Sequence, residues 1–173
     1  RTKAAAKAQA KGSIFASDFP ATQQDYYLDT SQTQFNATVI DCSPLSKSQI
    51  DTLNLSSEVS ITPTHSVVLD RTLFYPEGGG QLGDQGTLGS ASVADTRIEN
   101  GIIHHLINSP VEQGEISGQV DWERRRQLMD HHTAVHLVGG SARALLGPHI
   151  WQAGSNKGGR YARIDLTHYS RLT

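Results

Sequence analysis

Val120-Asp121-Trp122-Glu123-Arg124-Arg125-Arg126-Gln127-Leu128-Met129-Asp130-His131-His132-Thr133-Ala134-Val135-His136 is the stretch at which the chain changes period. Asp121 is a natural N-cap, because its carboxylate can accept from an unpaired N–H of a first helical turn. The spacing predicts a helix over 122–146, closed by Gly147-Pro148, with Leu128, His132, Val135, His136, Val138 and Leu145 on adjoining faces. Before this point the period is two. Residues 34–42 alternate, with Phe35, Ala37 and Val39 on one face and Thr38 and Ile40 on the other. Further strands are expected over 66–69, 92–98, 101–107 and 115–120, and Glu99-Asn100-Gly101 marks a hairpin turn. Short strands with Gly and Pro between them suggest a small barrel. Beyond the helix, residues 150–167 read as extended structure around the turn Asn156-Lys157-Gly158-Gly159.

The fold class is therefore α+β, in three parts. Residues 1–30 are expected to form a basic helical tail, ending at Gly12, and a polar linker over 13–31. Residues 31–119 form the barrel, with 43–63 a loop carrying one helical turn, and 120–173 begin a second, α+β unit. At 173 residues with 36% hydrophobic and 18% charged side chains, the chain is long enough for a real core. A net charge of −2 gives no global basic field for nucleic acid, so polyanion contact must come from a local patch. The single cysteine, Cys42, excludes a disulfide framework and a CxxC zinc site, and reads as a small buried hydrophobe. A reducing cytoplasmic compartment is the default. No apolar run approaches the length of a membrane span. The opening at Arg1 and the uncapped stop at Thr173 are expected of a segment cut from a longer chain.

His132 and His136 stand four apart, so on a helix they point the same way and can hold one zinc ion. Such a pair also arises incidentally in a chain with eight histidines. A metalloprotease needs Glu after the first histidine, and Thr133 sits there, which removes that reading. Two ligands are also fewer than the three a catalytic zinc normally takes. Gly78, Gly79, Gly80, Gly83 and Gly86 put five glycines within nine positions, after the extended run Leu69-Asp70-Arg71-Thr72-Leu73-Phe74-Tyr75-Pro76-Glu77. The segment lacks the endings of a P-loop and of a dinucleotide fingerprint. A ligand wall and a tight connection between barrel strands are both open to it. Arg124, Arg125 and Arg126, with Arg143, Lys157, Arg160 and Arg163, could face phosphate or form a solvated surface. His104-His105 is expected to be a half-exposed pair on a strand.

In these motifs the chain resembles the editing region of alanyl-tRNA synthetases, especially the archaeal type, and the free-standing alanyl-tRNA editing proteins. The resemblance rests on 69–81, on 120–126, on His131 to His136, on Gln152-Ala153-Gly154 and on Arg163-Ile164-Asp165-Leu166-Thr167-His168-Tyr169, and covers the chain from about Tyr26 onward. It implies a translation-factor-type β-barrel followed by the start of an editing domain shared with threonyl-tRNA synthetases. That domain hydrolyses serine or glycine wrongly esterified to tRNA(Ala). His132 and His136 would be zinc ligands, with a later Cys-x-x-x-His segment supplying the rest. Gln152, Ser155 and Thr133 would be pocket groups orienting the ester or the water. Gly78, Gly79, Gly80 and Gln81 would approach the pocket from the barrel, and Arg124 and Arg163 would contact tRNA. The parent enzyme of such a region would attach alanine to tRNA(Ala) with ATP and Mg. A second, hydrolytic site answers a real problem, since a pocket built for a methyl group rejects smaller or isosteric competitors poorly.

Two departures stand out. Val135 occupies a position where the family carries threonine, so a hydroxyl is missing. No Cys-x-x-x-His occurs in the chain, which is expected to supply half of a zinc site, to bind zinc weakly and to leave apolar surface exposed. Two alternatives accompany the reading as part of a ligase: a free-standing trans-editing deacylase, and a degenerate module that only docks the tRNA acceptor end. Nothing in the sequence sets an oligomeric state.

Overall fold

The computed structural model describes residues 13–15 and 18–169; the helix expected over 1–11 and its Gly12 lie outside them. In chain order the elements are β1 (Gln23–Gln24), β2 (Gln34–Pro44), α1 (Lys47–Leu53), β3 (His65–Leu69), β4 (Arg71–Thr72), β5 (Gly86–Leu88) and β6 (Ala91–Glu99). They continue through β7 (Ile102–Ile107), β8 (Gly114–Val120), α2 (Trp122–Leu146), β9 (Gln152–Lys157) and β10 (Ala162–Leu166). The class is mixed α and β, as expected.

Six strands close on themselves in the order β2-β3-β7-β6-β5-β8. The alternation in β2 turns Ala37 and Val39 into the barrel, where they meet Val67, Leu69, Phe74 and Ile107. Cys42, expected to be buried, is partly buried against this core. The β6–β7 hairpin turns at Asn100 and Gly101, which have φ of 52° and 82°, the left-handed values that Asn-Gly adopts at least cost.

Two expectations are corrected. First, residues 13–31 are not a free linker where they are described. Thr22 N–H bonds Gly101 O at 3.1 Å, Gln23 N–H bonds Asp70 O at 2.9 Å, and β1 pairs in parallel with β4. Phe15 and Tyr26 are buried by this wrapping. Second, His104 and His105 are both buried, not half-exposed. Strand β7 is covered on both faces: Ile107 joins the barrel core, while Leu106 packs outside with Phe15 and Leu53. A strand buried on both faces loses the period-two signature of one facing water.

Helix α2 leaves the barrel at Asp121, whose side chain caps it by accepting from Arg124 N–H at 3.1 Å. It packs against the two-stranded antiparallel β9–β10 sheet, and its other face shows Leu137, Val138 and Leu145 to solvent. Among the described residues no helix is long and apolar enough to cross a membrane.

Candidate functional site

The glycine segment follows β4 and doubles back through reciprocal bonds, Gly78 N–H to Gln81 O at 3.1 Å and Gln81 N–H to Gly78 O at 2.9 Å. It then pairs with the end of β9: Lys157 N–H bonds Gly80 O at 2.7 Å, and Leu82 N–H bonds Lys157 O at 3.1 Å. The segment connects β4 to β5 and packs against β9 and the His132 ring. A Cβ on Gly79 would sit 3.9 Å from the His132 ring, and one on Gly80 would lie 2.5 Å from Ser155 O. Gly80 also has φ of 79°, so Gly80→Ala combines a left-handed backbone with a clash against backbone. We expect it to cost about 1–3 kcal/mol in urea unfolding, with Gly78→Ala, which meets nothing closer than 3.8 Å, close to wild type.

This packing brings Gln81 under the helix. Its Oε1 lies 2.8 Å from His132 Nδ1, and the Gln81 side chain is buried. An amide oxygen only accepts, so Nδ1 carries the proton and donates, and Nε2 keeps its lone pair. Burial, then the Lys157 and His136 charges, lower the His132 pKa and favour this neutral ring. His136 stacks one turn along at 5.0 Å between centroids and 18° between planes. Among the described residues, no group of three or more His, Cys, Asp or Glu is placed to hold a metal.

Ser155 and Gln152 reach the same region from β9. Gln152 Nε2 donates to Ser155 Oγ at 3.0 Å, and Lys157 Nζ donates to Ser155 Oγ at 2.7 Å and to Gly79 O at 2.6 Å. Lys157, read with the arginines as phosphate-facing or solvated, is instead 1% exposed, and burial lowers its pKa. Thr133 and His132 line one side of a cavity of about 250 Å³, whose other walls include Tyr26, Tyr27 and Tyr75. Val135 is buried beside His136 and Gln152 in a second hollow of about 290 Å³. Gly79, Gly80, Gln81, His132, Ser155 and Lys157 are thus brought together, with Gly78 closing the loop.

The arginines read as either phosphate-facing or solvated divide between interior and surface. Arg125 is buried and bonds Asp84 through Nε at 3.0 and 2.8 Å and through its terminal nitrogen, which also donates to Leu73 O at 2.6 Å. Arg124 pairs with Glu58 at 3.2 Å, and both side chains are largely buried. Burial pushes the Glu58 carboxyl up, but the N–H groups of Gly159 and Arg160 and the Arg124 guanidinium hold it below the usual range. Arg143 lies over the Trp151 ring at 3.9 Å. Arg163 is exposed on β10, 3.2 Å from Asp165. Arg124 thus ties α2 to the loop before β3. Sequence reading missed Glu58 as the anchor of Arg124 and Asp84 as that of Arg125, since a single carboxylate in a loop carries no periodic signal.

Residues 1–124 match the family model described as tRNA synthetases class II (A). The chain is similar to the alanine–tRNA ligase of Natronomonas pharaonis, 40% identical over 161 residues, which are 90% of this chain and 16% of that protein. The alanine–tRNA ligase of Haloquadratum walsbyi is 42% identical over 160 residues, again 90% of this chain and 16% of that protein. The alanine–tRNA ligase of Methanocella arvoryzae is 40% identical over 156 residues, 89% of this chain and 16% of that protein. The chain thus spans 16% of the length of these curated relatives.

Proposed function

We propose, from the premise that this chain belongs to the class II tRNA synthetase (A) family, that it is the proofreading segment of an alanine–tRNA ligase. In this reading the closed barrel is of the translation-factor type, and α2 with β9 and β10 begins an editing domain. The substrate is serine or glycine wrongly esterified to tRNA(Ala), and the reaction is hydrolysis of that ester in the cytoplasm. The parent enzyme would use ATP and Mg to attach alanine to the same tRNA.

The observation that carries the reading is the Gln81–His132 contact at 2.8 Å. A histidine whose Nδ1–H is held by a second group presents Nε2 in a fixed direction, the usual arrangement of a metal-ligating imidazole. His136, one turn along the same helix, would supply a second imidazole to the same ion. A zinc ion held there would supply Lewis acidity toward the ester carbonyl or an attacking water. The residues of the chain do the rest. Gln81 sets the His132 ring. Lys157 and Gln152 orient the Ser155 hydroxyl, and Gly80 lets its backbone approach Ser155 where a side chain would intrude.

The test is deacylation of Ser-tRNA(Ala) by the complete polypeptide that carries this chain. His132→Ala is expected to fall to the uncatalysed rate, and Gln81→Ala to lose about 10- to 100-fold through the misdirected ring. A second reading, acceptor-end docking without hydrolysis, is favoured by Val135, which places an apolar side chain beside His136. Equal deacylation rates for wild type and His132→Ala would select it.

A further inference from the structure

The cavity of about 250 Å³ beside His132 has a wall of tyrosines that the site chemistry does not use. Tyr26 and Tyr27 lie 4.6 Å apart between ring centroids, and Tyr75 meets Tyr26 edge-on at 5.2 Å. Tyr26 is fixed as the inner surface: it is 3% exposed, and its hydroxyl donates to Gln24 Oε1 at 2.8 Å. Tyr27, in contrast, is 70% exposed. Arg125 also borders the cavity, but its guanidinium is committed to Asp84 and Leu73 O, so this wall gives no free cation to a phosphate. Aromatic faces without a free charge suit a flat, neutral ring, and base–aromatic stacking works for any nucleobase.

The proposal rests on the editing reading, and chemistry then dictates what must lie next to the ester. The aminoacyl group hangs from the ribose of the 3′-terminal nucleoside, so with the ester at His132 the attached base lies only a ribose away. A serine or glycine side chain is far too small to fill the cavity. We propose that the tyrosine-lined cavity formed by Tyr26, Tyr27 and Tyr75 holds the base of that terminal adenosine, with Tyr27 as its stacking partner. The short turn ahead of the barrel is thereby a substrate-binding element.

The test uses the complete polypeptide and an acceptor-stem RNA of tRNA(Ala) ending in 2-aminopurine, whose fluorescence is quenched on stacking. Wild type and Tyr27→Phe are expected to quench it. Tyr27→Ala should lose the quenching and raise KM for Ser-tRNA(Ala) about 5- to 100-fold with kcat retained, the loss of one stacked base. Because Tyr27 is mostly solvent-exposed, its replacement leaves the fold intact, which unchanged melting of both variants checks. Quenching by Tyr27→Ala equal to wild type overturns the proposal, whatever the deacylation rates. Absence of deacylation by wild type, with quenching that depends on Tyr27, counts against the editing reading alone and supports the base site.

Discussion

Asp84→Ala is expected to destabilise the protein by about 3–5 kcal/mol, read as a shift in the urea unfolding midpoint. Asp84 is 1% exposed and accepts from Arg125 and from Tyr75 N–H at 2.6 Å. Its removal strands the Arg125 guanidinium, which is 4% exposed and cannot shed its proton. Arg125→Leu should cost less. Burial raises the Asp84 pKa even against the pull of Arg125, so without its partner the carboxyl can take up a proton and become neutral. The double variant Asp84→Leu with Arg125→Leu should recover most of the loss, since buried ion pairs are often replaced by apolar side chains at little net cost. Equal losses from the two single variants would contradict this account.

The second large effect is acid lability of the barrel. His105 is fully buried, with Nδ1 3.0 Å from Val67 O and Nε2 2.8 Å from Thr72 Oγ1. A carbonyl only accepts, so Nδ1 donates, and Nε2 accepts from the Thr72 hydroxyl; the ring has no place for a second proton. His104 stacks on Phe15 at 4.0 Å, with Nδ1 3.1 Å from Ser66 Oγ and a buried Nε2 that has no hydrogen-bond partner. Burial pushes both pKa values down to about 4. The unfolded chain protonates these rings near pH 6.5, so below that pH it binds more protons than the folded one. Stability is therefore complete above about pH 7 and falls as pH drops toward 4, by up to about 1.4 kcal/mol per pH unit and about 3 kcal/mol in all for each ring. Glu77, Asp84 and Asp95, whose pKa values burial raises, oppose this at the acid end. The clean window is thus about pH 6.5 to 5, above most carboxylate titration. Melting temperature against pH should fall through it, and His104→Phe should remove roughly half of the slope. A flat profile would mean that the rings are wet in solution.

What the sequence made legible were features with a local cause. Helix α2 begins after Asp121 and ends at Gly147, as cap chemistry requires, and the Asn100–Gly101 turn and the inward Ala37 and Val39 follow from φ and from period two. Features set by distant chain were not legible. β5, only Gly86–Leu88, has no period to read and exists because β6 and β8 flank it. His104 reads as polar and half-exposed until Phe15, eighty-nine positions earlier, folds over it. Arg124, Arg125 and Arg126 look alike in sequence; Glu58 and Asp84 make the first two internal, while Arg126 stays exposed. In the site, the His132–His136 geometry was legible from helical spacing, whereas the Gln81 contact needed the glycine loop to cross fifty-one positions.

That crossing has a consequence for any measurement of pH dependence. Gln81 belongs to a loop strung between barrel strands, so the direction of the His132 ring is only as durable as the barrel. When protons enter at His104 and His105 and the barrel loosens, the ring loses its guide by a route separate from its own protonation. The acid limb of a rate profile for this site would then report the melting of a scaffold, and would be mistaken for the protonation of a base.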